Sequence, residues 1–80
     1  MVTDRSKYNQ VFIESFSISE NDLSGGLEYN SISEWDSIGH MGMIADLEEA
    51  FDITLDTDDI IDFSSYEKGI EILKKYDVIV

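Results

Sequence analysis

Apolar residues recur at helical spacing in three stretches of the chain. In "DRSKYNQVFIESF", Tyr8, Val11, Phe12, Ser15 and Phe16 share one side of a 3.6-residue wheel. That spacing predicts a helix from about residue 4 to 16, with Thr3 or Asp4 as its cap. A second stripe begins at Asp36 or Ser37 and runs to about Phe51. The third lies in "SSYEKGIEILKKY". Here Ser64 with Glu67 three residues later forms a capping-box pattern, and Tyr66, Ile70 and Leu73 give a buried face. Lys74 and Lys75 fall in its last turn, where cations favour the helix dipole.

The connecting segments are less regular. Residues 17–36 are rich in Ser, Asn, Asp and Gly, and Gly25-Gly26 interrupts any element there. A connection of that length is unusual in a small domain and is often functional. Ile18, Leu23, Leu27, Tyr29 and Ile32 are spaced as anchors that tie it to a helical core. "DITLD" turns the chain after the second helix, and "TDDIID" reads as one or two helical turns with acidic residues at the positive end of the dipole. The tail "DVIV" has nothing obvious to pair with and reads as a packed or frayed end. The expected fold is all-α: a four-helix bundle of three main helices plus a short third helix, with a long loop between helices 1 and 2, forming a single domain over residues 1–80.

The second helix carries two apolar faces. At 100° per residue, His40, Met43, Ile44, Leu47 and Phe51 cluster within about 100° of one another, an ordinary core stripe. Nearly opposite lie Ile38, Met41, Gly42, Ala45, Glu48 and Glu49, with Ser37 at the leading edge. Either the long loop folds over this second strip, or the strip is a docking surface rimmed by carboxylates. Gly39 and Gly42 each cost about 1 kcal/mol against alanine in a helix. Close approach of another group to the backbone near Ser37 would explain that cost; simple tolerance would too. Ser37 itself sits in the first turn, where N–H groups lack partners and the dipole is positive. Such a place suits a phosphate ester, although Asp-Ser at a helix start more often only caps it.

Charge narrows the partners. Eighteen acidic residues stand against five basic ones, for a net charge of −13 and an isoelectric point near 4.1. That field repels nucleic-acid phosphates and anionic lipids and favours partners with basic surfaces. The 42% hydrophobic content argues for a folded domain. With no cysteine, the chain has no thiol nucleophile, disulfide or cysteine metal site, so any thiol chemistry requires a cofactor's sulfur. No apolar run approaches the ~20 residues of a membrane span, and "MVTDRSKYNQ" lacks an apolar signal region. The cytoplasm is therefore the expected location, and a monomer the expected state.

Asp36-Ser37-Ile38 opening the second helix resembles the Asp-Ser-Leu motif of acyl carrier proteins. The likeness runs without a gap through "DSIGHMGMIADLEEAFDI" and on into "TDDIIDFSSYEKGIEIL"; the spacing of helix one and the long loop also fits, so it covers nearly the whole chain. Trp35, preceding the motif in Glu34-Trp35-Asp36-Ser37, resembles discrete carriers of specialised pathways and peptidyl or D-alanyl carriers. The resemblance implies that Ser37 bears 4′-phosphopantetheine taken from coenzyme A, with Asp36 part of the motif. It also implies that Ile38, Met41, Gly42, Ala45, Glu48 and Glu49 lie on the face that meets partner enzymes. Those partners would be a phosphopantetheinyl transferase, an acyl- or aminoacyl-loading ligase, and acyltransferase or synthase enzymes with basic docking surfaces. Ile38 replaces the usual leucine, and Gly39 and Gly42 stand where fatty-acid-synthesis carriers often have acidic residues, so recognition by ordinary fatty-acid enzymes is in question.

The implied function is to carry acyl or aminoacyl groups as thioesters on a swinging arm, in a specialised lipid, polyketide or related pathway. The tether raises the cargo's effective concentration at each docked enzyme. Ser37 would then be an acceptor of modification, with catalysis left to partners and no catalytic residue or metal ligand in this chain. His40 falls on the core side and reads as a packing residue. An aminoacyl cargo and a helical protein-binding module with no prosthetic group are the alternatives. A calcium loop over Asp52–Phe63 fails, because its sixth and twelfth places hold Thr57 and Phe63.

Overall fold

A computed structural model describes residues 4–80. Five helices follow one another: α1 (Asp4–Phe16), α2 (Glu20–Leu23), α3 (Ser37–Phe51), α4 (Thr57–Asp62) and α5 (Tyr66–Lys74). No strand occurs among the described residues; the isolated bridge between Glu28 and Ser65 is the β-type pairing recorded there. The radius of gyration is 11.4 Å, close to the ~12 Å of a well-packed chain of this length.

The long α1 lies along α3, and aromatic rings fill the space they share with α4 and α5. Phe12 is the centre of that core. Its ring stands 4.9 Å from Tyr8, 5.4 Å from Tyr66, 5.6 Å from Trp35 and 5.9 Å from Phe16, each in an edge-to-face pose. Such poses suit the ring quadrupoles, and full burial of a phenylalanine contributes about 1.5–3 kcal/mol. The stripe that predicted α1 holds: Tyr8, Val11, Phe12 and Phe16 are buried, while Ser15 reaches the rim and donates to Asp46 Oδ2 at 2.7 Å. Thr3, one of the two caps read from the sequence, lies outside the described residues, and Asp4 is the first residue of α1.

Three helices end in the same way. Ser17, Asp52 and Asp77 follow α1, α3 and α5 with φ of 54°, 54° and 63°. In each case the next residue turns back: Ile18 N–H donates to the Ile13 carbonyl, Ile53 N–H to Glu48, and Val78 N–H to Leu73. This is the Schellman arrangement, with an apolar residue after the left-handed one packing on the helix it terminates. Val78 and Val80 accordingly lie against the core, and Arg5 Nη2 donates to the Val80 carbonyl at 3.2 Å.

Three sequence expectations are corrected here. Residues 17–36 are not loop throughout: α2 forms within them, with Ser19 and Asp22 in a capping box. The cap of α5 is Ser65, whose side chain accepts from Lys68 N–H at 3.0 Å; Ser64 remains outside the helix. Ser64 is held instead by the long connection, because its carbonyl accepts from Tyr29 N–H while Tyr66 N–H donates to Leu27. The buried face of α5 also differs from the predicted one, Leu73 alone being fully buried as expected. Gly69, Ile72 and Leu73 are buried, and Tyr66 and Ile70 only partly so.

Candidate functional site

Asp36 starts α3. Its backbone is extended, and its carboxylate Oδ1 accepts from Gly39 N–H at 2.8 Å, satisfying one of the first-turn donors. Ser37 is thereby fixed as the first helical residue, and its side chain is exposed. Gly39 has a local reason to be glycine: a β-carbon there would overlap the carbonyl oxygen of Glu34, which lies against the first turn. Gly42 has no such neighbour within 4 Å.

The second face of α3 is open. Ile38 is 83% exposed and Met41 54%, so the long connection does not cover them, and Gly42, Ala45 and Glu49 are exposed beside them. Glu48 is different. It is half-buried, and its Oε2 accepts from Leu55 N–H at 2.8 Å, tying the chain after α3 back to the helix. Sequence reasoning missed Ile61, which α4 turns outward at 72% exposure. Met41 and Ile61 both line an open groove of about 300 Å³ that begins at Ser37 and includes Tyr29 and Ile60, with His40 and Phe63 among its lining. No sequence signal marked Ile61, because one outward apolar residue in a six-residue helix has no periodicity.

Below Ser37 the interior is closed by a chain of hydrogen bonds. Trp35 is fully buried, and its Nε1–H donates to His40 Nδ1 at 2.9 Å. His40 Nε2 is 2.8 Å from the carbonyl oxygen of Ile60, so Nε2 carries the proton and donates. Ile60 sits near the end of α4, where carbonyls lack helical partners, and the imidazole satisfies one of them. The indole and imidazole rings lie nearly parallel, 14° apart, and the indole also stacks on Phe16 at 5.2 Å. His40 is thus a core residue with both ring nitrogens engaged.

The helix opposite Ser37 is anchored from its far side. Asp59 accepts from Lys75 Nζ and from the Tyr76 hydroxyl, and that hydroxyl accepts from Asp56 N–H at 2.9 Å. Hydrogen bonds from Lys75 and then Tyr76 hold the Asp59 carboxyl below the usual carboxylate range. Charge is segregated around this frame. All five basic residues precede Tyr8 or follow Glu67, so α2, α3 and α4 contain none. Lys7 places its ammonium at the C-terminal end of α3, donating to the Ala50 carbonyl at 3.1 Å and lying 4.9 Å from the Phe51 ring centre. The helices that frame Ser37 therefore present exposed apolar side chains and contribute no basic residue of their own.

Among the described residues no group of three or more His, Asp or Glu side chains is arranged to hold a metal ion, and no helix is long and apolar enough to cross a membrane. Comparison with known protein families finds no family model that matches the chain, and comparison with curated proteins finds no match.

Proposed function

We propose that this chain is a carrier protein of the acyl-carrier type, with 4′-phosphopantetheine esterified to Ser37. One observation carries the reading: an exposed serine hydroxyl opens α3 beside an uncovered apolar strip, on helices that contain no basic residue. The group fits the residues present. Ser37 is exposed, the first-turn N–H groups favour a phosphodiester, and the groove beside Ser37 is large enough to receive part of a flexible arm. When bound, the group would supply a thiol, which the cysteine-free chain lacks. The four-helix carrier fold fits α1, α3, α4 and α5, with α2 as an addition within the long connection.

In this reading the chain's own residues provide an address. Ile38, Met41, Ala45 and Ile61 would bury apolar surface against an enzyme, and Glu49 with the neighbouring carboxylates would meet its basic rim. Partners would comprise a phosphopantetheinyl transferase, a loading ligase and acyl- or aminoacyl-transferring enzymes, working in the cytoplasm on a monomeric carrier. A helical protein-binding module without a prosthetic group is the second reading, favoured by the same open strip.

Intact-mass measurement after incubation with coenzyme A, magnesium and a broad-specificity phosphopantetheinyl transferase separates the two. The wild type gains the mass of one phosphopantetheine, and Ser37→Ala gains none while keeping its helical circular dichroism. An unmodified, folded wild type would leave the binding module as the better reading.

A further inference from the structure

Resting on that carrier reading, we infer that the cargo stays outside the protein core, so the chain carries short or polar acyl groups, aminoacyl groups included, in preference to long hydrocarbon chains. The groove at Ser37 lies between α3 and α4, lined by Met41 and His40 from one and Ile60 and Ile61 from the other, and its inner side is bolted. His40 spans it to the Ile60 carbonyl at 2.8 Å, and Trp35 fixes the imidazole from behind at 2.9 Å. Behind the bolt the space is occupied: Trp35, Phe12, Phe16, Met43 and Leu47 are each fully buried.

Admitting a hydrocarbon chain would separate His40 from Ile60, leaving a buried imidazole N–H and a helix-end carbonyl without partners. The far side of α4 resists that movement, since Asp59 is held by Lys75 and Tyr76. A long chain left in the open groove would expose its outer carbons to water, at a cost that grows with every methylene. A short or polar acyl group bears little of that cost. The groove beside Ser37 can lodge the first atoms of such a group against Met41 and Ile61 without disturbing His40.

The test uses the wild-type chain, loaded by the transferase from coenzyme A analogues whose arm carries either an alanyl or an octanoyl group through a hydrolysis-resistant amide, with the nucleotide half released as adenosine bisphosphate. Proton–nitrogen spectra follow the Trp35 indole N–H, a single resonance because the chain has one tryptophan. The expected result is that both cargoes leave the indole shift and its hydrogen-exchange rate where they are in the unloaded form. Resonances of Tyr29 and Ile61 move, and the melting temperature does not rise with octanoyl. An octanoyl-dependent shift of the indole and of Met43 and Leu47, with a rise in melting temperature, overturns the inference while leaving the carrier reading intact. Failure of the transferase to attach either analogue overturns both. His40→Ala supplies the converse: with the bolt removed, octanoyl should shift the indole resonance, and a folded variant whose indole ignores octanoyl would count against His40 as the barrier.

Discussion

The hydroxyl of Tyr8 crowds the position that a β-carbon on Gly69 would take. That carbon would also overlap Cζ of Phe63, and both rings are buried with no room to swing. Glycine at 69 is what lets α5 approach α1 closely enough for the Tyr8 hydroxyl to donate to the Tyr66 carbonyl at 2.6 Å. The same burial, followed by the nearby Tyr66, pushes the Tyr8 phenol far above its ordinary range.

Gly69→Ala should therefore destabilise the chain by about 1–3 kcal/mol through overpacking, despite alanine's better helix propensity. Gly42→Ala is the control. With open space around it, the same change should gain up to about 1 kcal/mol. Urea unfolding midpoints read both, and a neutral Gly69→Ala would mean that α5 can move away from Tyr8 without loss.

Asp59 makes stability depend on pH in a defined direction. Its carboxyl is held lower in the fold than in the unfolded chain, so its contribution is complete above the ordinary aspartate range near pH 4. It is lost as pH falls through the folded value. Acidification also relieves repulsion in a chain of net charge −13, so the informative quantity is the difference between wild type and Asp59→Asn. That difference should favour the wild type at pH 6 and shrink steadily toward pH 3 in urea titrations. A constant gap across this window would show that Asp59 gains nothing from Lys75 and Tyr76.

Under the proposed carrier role, Met41→Glu and Ile61→Glu should each lower kcat/KM for the phosphopantetheinyl transferase by about tenfold, or ~1.4 kcal/mol, with helicity preserved. Glu48→Gln should behave otherwise. Its carboxylate is committed to Leu55 N–H, so the change should lower stability more than transfer rate. Glu49 is exposed, and Glu49→Gln should instead weaken the salt dependence of docking. Equal effects of Glu48→Gln and Glu49→Gln on transfer would refute that division.

What the sequence disclosed follows its periodicity. The limits of α1 and α3, the Asp36 cap and the inward side of His40 were legible, because each rests on spacing within one helix. The α2 turn escaped notice because "ENDL" is four residues long and supports no pattern. The choice between Ser64 and Ser65 could not be read locally. Both offer a hydroxyl at capping distance from a following residue, and backbone pairing with Leu27 and Tyr29 decides which one lies outside the helix. Trp35 gave no sign that its N–H would find His40, and Glu48 looked identical to Glu49 until the returning chain claimed one of them. Partnerships formed between elements leave no periodic trace.

The stitching of residues 27–29 to residues 64–66 has a consequence for the order in which the molecule assembles. These backbone bonds join opposite halves of the chain, so closing them carries the entropy of a long intervening loop. Helices α1 and α3 can gather their aromatic residues before that closure, whereas α5 acquires its proper first turn only with it. Tyr29 and Phe63, beside those bonds, also line the Ser37 groove, so the serine's surroundings are complete only where the two distant segments have met.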